Sequence, residues 1–195
     1  MVGTILMAVF GIFLVAMAFL YIVSRRNEQA RGSRVDHFPA KANGGKVALL
    51  VYQPSALGKA MDRLIERMTD RLLSAGFSVD RTVAGPHVPV IEGEYDLMLF
   101  GSSVYMGQLS QLLLQNLDEI IERQAVVGLF SLGLRQDDDS ELTKATTLPG
   151  VNPDSVMKFF GGDPAQADKL GDWLAELIYR VGQEDEPVGS VSDKT

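Results

Sequence analysis

The stretch YDLMLFGSSVYMGQLSQLLLQNLDE, residues 95–119, decides how the rest of the chain is read. It opens with an apolar run, 95–104, that is too short for a helix and too continuous for a half-exposed strand. Such a run is a strand covered on both faces. A turn containing Gly107 follows. Leucines then recur at helical spacing, which predicts a helix from about Leu109 to Arg123.

Working outward, the same unit repeats. KVALLVY (46–52) is a buried strand. Met61, Leu64, Ile65, Met68 and Leu72 then fall on one face of a helix over 58–75, with Gly76 as its stop. FSVDRTV (77–83) alternates, as expected of a strand near the sheet edge, and AGPHVPVIEGE (84–94) is a loop. AVVGLFSLGL (125–134) is another buried strand. RQDDDSELTKA is an acidic loop running into a short helix, and VMKFFGG (156–162) is the last strand. Asp163 and Pro164 suit the cap and first position of a final helix. The apolar face of that helix is Leu170, Trp173, Leu174, Leu177, Ile178 and Val181. Five strands alternating with helices specify a doubly wound parallel sheet in three layers. Crossovers in such sheets are right-handed, and ligands bind beyond the C-terminal strand ends. The turns at 53–60, 101–108 and 131–139 are therefore the candidate site.

The first of these turns, QPSALGKA, has the shape of a phosphate turn, because the first N–H groups of a helix have no partner within the helix. It is not a nucleotide-triphosphatase loop. Gln53 and Ala60 stand where that motif requires glycine and a hydroxyl. The second turn resembles flavodoxins, in which a strand ends in Gly-Ser/Thr-Pro-x-Tyr-x-Gly before a helix. Gly101, Ser102, Tyr105 and Gly107 match, and Ser103 replaces the proline. VVGLFSLGL resembles the next strand of that family, and VMKFFGGD with GDWLAELI resembles its end, so the likeness runs from residue 46 to 181. It is nearest the flavodoxin-type branch that includes quinone-dependent protoporphyrinogen oxidases.

The resemblance implies a flavodoxin-like fold binding FMN and acting in electron transfer as a flavoprotein or oxidoreductase. Ser55, Gly58 and Lys59 would face the phosphate. Ser102, Ser103, Tyr105, Gly107, Ser131 and Gly133 would border the flavin ring, with Tyr105 against its face. No residue is expected to act as a chemical catalyst. Two departures stand out. Ala56, Leu57 and Ala60 occupy or adjoin positions where the family places hydroxyls, and the segment that the oxidases carry before the last helix is missing. Two functions are therefore open: FMN-dependent electron transfer, or a flavin-free interaction module of the same fold. The 53–60 turn discriminates between them.

Residues 2–23, VGTILMAVFGIFLVAMAFLYIV, carry no charge. At about 1.5 Å per residue they match the roughly 30 Å hydrocarbon core, so 1–24 is expected to be a transmembrane anchor. Arg25, Arg26, Arg31 and Arg34 follow it, and no basic side chain precedes it. The positive-inside rule then predicts a single-pass cell-membrane protein with its N-terminus outside and its domain cytoplasmic. Residues 25–45 read as a juxtamembrane linker with a reach of about 25 Å, 46–181 as the domain, and 182–195 as a disordered acidic tail. The expected partners are the lipid bilayer and a quinone or membrane-bound redox protein. A net charge of −7 argues against nucleic acid. The absence of cysteine removes thiolate chemistry. Asp137, Asp138 and Asp139 lack the spacing of a calcium loop, so no metal site is expected. His87 reads as a surface histidine.

Overall fold

The computed structural model describes residues 2–27, 29, 34–41, 45–55, 58–88, 95–120, 125–134, 138–161, 163 and 165–184. Helix α1 (Val2–Asn27) comes first, followed by strand β1 (Val35–Phe38). The alternating unit then runs β2 (Lys46–Gln53), α2 (Ala60–Ser74), β3 (Phe77–Val83), β4 (Leu97–Ser103) and α3 (Gln111–Ile120). It closes with β5 (Val126–Gly133), α4 (Ser140–Thr146), β6 (Ser155–Phe160) and α5 (Gln166–Glu184).

These strands form one sheet in the order β1-β3-β2-β4-β5-β6. The five strands expected from the sequence make four pairings, all parallel, from β3 through β6. The expected five-stranded sheet is nevertheless corrected to six. VDHF, within the presumed linker, pairs antiparallel with β3 from Val35↔Thr82 to Phe38↔Val79. Strand β3 is consequently not at the edge. The added strand is held by its side chains as well as its ladder. His37 Nδ1 lies 2.6 Å from Asp80 Oδ1, Tyr95 donates to the other oxygen of Asp80 at 3.0 Å, and the Arg81 guanidinium sits over the Phe38 ring at 4.6 Å.

Two apolar layers cover the sheet. The amphipathic face of α2 is buried as its periodicity predicts, and it shares a core with Leu170, Trp173, Leu174, Leu177 and Val181 of α5. On the opposite face, Leu113, Leu114 and Leu117 of α3 and Leu142 and Ala145 of α4 pack on β2, β4 and β5. Phe130, Phe159 and Trp173 meet edge to face with centroids 5.9–6.2 Å apart. That cluster explains Gly101. A Cβ there would lie 2.0 Å from the Phe130 ring, so the motif glycine makes room for an aromatic on the neighbouring strand. Gly76, at φ +91, terminates α2 as expected.

Helix boundaries shift slightly. Helix α2 begins at Ala60 rather than Gly58, and α3 begins at Gln111 rather than Leu109 and is described to Ile120; residues 121–123 of its expected extent lie outside the described residues. The expected disordered tail, 182–195, is corrected at its start, because residues 182–184 belong to α5; beyond Glu184 it lies outside the described residues. Asp163 does prepare the last helix, its Oδ1 accepting from the Ala165 N–H at 2.9 Å while Lys169 bonds its other oxygen at 2.6 Å. The lysine, and then the backbone donor, hold the carboxyl below the usual range. His87 is half-buried rather than on the surface. Its Nε2 lies 2.9 Å from Thr82 Oγ1, and burial lowers its pKa.

Helix α1 is long and apolar enough to cross a membrane, and the domain covers none of its most apolar stretch.

Because β1 adds a paired edge and an apolar contact through Phe38, it belongs to the folded unit. A fragment of residues 34–184 is expected to melt cooperatively and to resist urea better than a fragment of residues 45–184. The difference should be on the order of 1–3 kcal/mol, the range for burying one large apolar side chain. Chemical denaturation followed by tryptophan fluorescence reads it directly, and equal midpoints would exclude β1 from the core.

Candidate functional site

The C-terminal ends of β2, β4 and β5 lie side by side, with Gln53↔Ser102 and Ser102↔Ser131 in register. Strand order reverses at β2, whose two neighbours are β3 and β4. The crevice beyond β2 and β4 is therefore the switch point at which this class of sheet takes ligands.

In the first turn, Gly58 adopts φ +76, a conformation glycine reaches without strain. Lys59 is exposed and occupies the N-cap of α2 without making a side-chain cap bond. The first helical bond here runs from the Arg63 N–H to the Lys59 carbonyl at 3.1 Å, so the N–H groups of residues 60–62 precede the intrahelical ladder. The arrangement can hold an anion through those donors and the helix dipole. Ser55 is half-buried, and its hydroxyl lies 2.8 Å from the Tyr105 hydroxyl. The structure thus brings two of the anticipated residues together across the switch point. Ala56 and Leu57 lie outside the described residues.

In the second turn, Tyr105 and Gln108 exchange both backbone bonds at 3.1 Å, closing a two-residue hairpin over Met106 and Gly107. Both central residues have positive φ, 52° and 70°, the signature of a type I′ turn. Gly107 therefore has a conformational role at an exposed tip.

Ser102, Ser103, Ser131 and Gly133 were anticipated in turns, but they are the last residues of β4 and β5 and are buried. Ser102 accepts from the Ser110 N–H at 3.1 Å and donates to the Ser103 carbonyl at 3.3 Å. Ser131 donates to Glu141 Oε1 at 2.8 Å. These two hydroxyls serve the starts of α3 and α4.

Sequence reasoning missed the group behind Ser131. Glu141 is buried on α4 and pairs with Lys158 of β6 at 2.7 Å, and Lys158 also donates to the Asp138 carbonyl. The signal was Lys158 itself: a lysine inside the apolar strand VMKFF needs a partner. Asp138 Oδ1 accepts from the Ser140 N–H at 3.1 Å, which gives the acidic loop a capping role. Beside this group is a cleft of about 170 Å³, lined by Gly107, Gln108, Leu109, Glu141, Lys144 and Leu148 among others.

No protein-family profile matches the chain, and no curated protein matches it in sequence. Solved structures do match in shape. The flavodoxin of Streptococcus pneumoniae TIGR4 superposes with a TM-score of 0.55 at 15% identity, covering 69% of this chain and 99% of that one. Flavodoxin 2 of Bacillus cereus gives 0.53 at 13% identity, covering 69% and 99%. The Flv1 flavodiiron core of Synechocystis sp. PCC6803 gives 0.54 at 13% identity over 74% of this chain and 38% of its own. The chain therefore has the flavodoxin fold, with one antiparallel strand added at its edge.

The buried Glu141–Lys158 pair makes a sharp prediction. Lys158→Met leaves a carboxylate buried without its cation and should cost about 3–5 kcal/mol. Adding Glu141→Gln should restore much of that loss. Urea denaturation of the single and double variants measures both, and purely additive losses would show that the pair is not coupled.

Proposed function

We propose that this chain is a membrane-anchored redox protein of the flavodoxin fold that binds FMN at the β2/β4 switch point, on the cytoplasmic face of the cell membrane. The observation that carries the reading is the uncapped start of α2, with Gly58 and exposed Lys59, in the same turn whose Ser55 hydroxyl meets the Tyr105 hydroxyl across that crevice. A phosphate fits these donors. The helix N–H groups and dipole act whatever the neighbouring side chains are, Lys59 adds a cation, and Ser55 adds one hydroxyl. Tyr105, held by its bond to Ser55, offers an aromatic surface to a flat ring. The backbone at Met106 and Gly107, exposed at the hairpin tip, is placed to meet a ring edge. When bound, FMN supplies the one- and two-electron chemistry, and the chain binds and orients it. The solved structures that share this fold include flavodoxins and a flavodiiron core, which supports a redox role. The likeness to flavodoxin-type, quinone-dependent protoporphyrinogen oxidases favours a quinone or a membrane-bound redox protein as the other partner.

The hydroxyls that the family uses on the phosphate are fewer here, so binding should be weak. Hydrogen bonds to charged groups are worth roughly 1.5–3 kcal/mol, and water replaces part of each loss, leaving about 1 kcal/mol per missing hydroxyl. Two or three such losses lower affinity by about two decades, toward the micromolar range. A second reading, a flavin-free interaction module, is favoured by the internal use of the Ser102 and Ser131 hydroxyls.

Titration of the detergent-solubilised chain with FMN, followed by quenching of flavin fluorescence, separates the two. Saturable micromolar binding, weakened about fivefold to tenfold by Lys59→Ala and also by Tyr105→Ala, is the expected outcome. No quenching at about a millimolar FMN would leave the interaction module as the function.

The cytoplasmic placement rests on Arg25 and Arg26 in the last turn of α1. A reporter active only outside the cytoplasm, fused after Thr195, should remain silent. Strong activity would reverse the orientation.

A further inference from the structure

We propose that the C-terminal edge of the sheet rests on the bilayer that α1 crosses, with Met106 and Leu134 seated among the lipid headgroups. The inference rests on the anchoring role given to α1 and goes beyond it by fixing which face of the domain meets the lipid.

The path of the chain sets the orientation. Strand β1 runs antiparallel to β3 and begins opposite Thr82, one residue before the C-terminal end of β3. Coming from α1, the chain therefore enters the domain at the edge where the parallel strands end. Seven residue steps separate Asn27 from Arg34, at most about 25 Å when fully extended. The end of α1 is also brought to this edge directly, because the side-chain amide of Gln53, the last residue of β2, donates to the Gln29 carbonyl at 3.4 Å. Gln29 is only two residues beyond the end of α1. Val23, in the last turns of α1, is 5% exposed although Tyr21 and Ile22 before it are open. The membrane helix thus ends against the same edge that carries the three site turns.

The apolar surface of that edge agrees. Met106 is 58% exposed and Leu134 is 89% exposed. They stand on neighbouring turns, tied by the bond from the Val104 N–H to the Leu132 carbonyl at 2.9 Å. Met106 is the one non-glycine residue with positive φ among the described residues. A type I′ turn favours Asn, Asp or Gly at that place. An exposed methionine in a backbone conformation that suits other residues contributes little to the fold, and strain of this kind marks functional positions. Its apolar side chain suits an interface in which one side is hydrocarbon. Arg25 and Arg26, at the end of α1, lie at headgroup level and complement anionic lipid. A partner reaching the β2/β4 crevice would then approach through the headgroup layer, which selects lipophilic or membrane-embedded molecules.

The chain contains no cysteine, so single cysteines introduced for labelling have no background. Four full-length variants are reconstituted in phosphatidylcholine–phosphatidylglycerol vesicles and labelled with an environment-sensitive fluorophore: Val15→Cys in α1, Met106→Cys, Leu134→Cys, and Tyr179→Cys on the open face of α5, where the tyrosine is 67% exposed. Lipids brominated near the headgroup or deep in the acyl chain act as quenchers. The expected result is deep quenching at 15, and shallow quenching at 106 and 134 severalfold stronger than at 179. Deep quenching at 15 with labels at 106 and 134 behaving like that at 179 would overturn the proposal and leave the anchor standing. A label at 15 that neither lipid quenches would overturn the anchor and the proposal together.

Discussion

The pairing of β2 with β4, in register from Ala48↔Leu97 to Gln53↔Ser102, is the constraint on which the functional end of this molecule depends. Since β3 lies on the other side of β2, the helices that follow β2 and β4 leave on opposite faces of the sheet. Their turns are left facing each other with no helix between them. The Ser55–Tyr105 hydroxyl contact spans that gap. A slip of one residue would send every side chain of β2 to the wrong face, and both faces are apolar and covered. Burial of the two cores therefore fixes the site geometry, although no core residue belongs to the site.

The small polar residues at the strand ends serve the same purpose. Ser102 and Ser131 are neighbours in register and fully buried. One receives the Ser110 N–H at the start of α3, and the other engages Glu141 at the start of α4. A hydroxyl at the last inward position of a strand is short enough to leave the next helix close to the sheet, and polar enough to satisfy a buried group there. The resemblance to flavodoxins identifies these serines correctly as belonging to the C-terminal edge. It does not reveal that their hydroxyls are directed inward.

Local patterns made most of the fold readable. Met61, Leu64, Ile65, Met68 and Leu72 declare one helix face, and LMLF and VVGLF declare strands that only a two-sided core accommodates. Strand β1 was hidden because VDHF is short, half polar and set among glycines and a proline. Its strand character comes from Asp80, Arg81 and Thr82, more than forty residues away. The Glu141–Lys158 pair was hidden for the same reason: one partner is on α4, the other on β6, and only the lone charge within an apolar strand hinted at it. Glycine was legible as a motif at 101 but not as a packing requirement, since the ring that needs the space is Phe130 on the next strand.

The added strand also changes what a membrane anchor at α1 would mean. A flexible linker of about twenty residues lets a domain tumble and present any face to the bilayer. With β1 hydrogen-bonded into the sheet, residues 35–38 of that linker belong to the folded domain, and the chain enters it at the site edge. On the membrane-anchored reading, orientation would then be set by those hydrogen bonds rather than by chance encounters. A short tether to such an anchor would also hold the edge at a high effective concentration relative to anything confined to the same membrane. Few phosphate hydroxyls and a short tether act on different steps. On the proposed function, the turn at 53–60 would govern how firmly FMN stays, whereas β1 and α1 would govern what the bound flavin can reach. On this division a modest cofactor affinity is compatible with efficient exchange with a lipid-borne partner, because the second step does not depend on the first for its geometry.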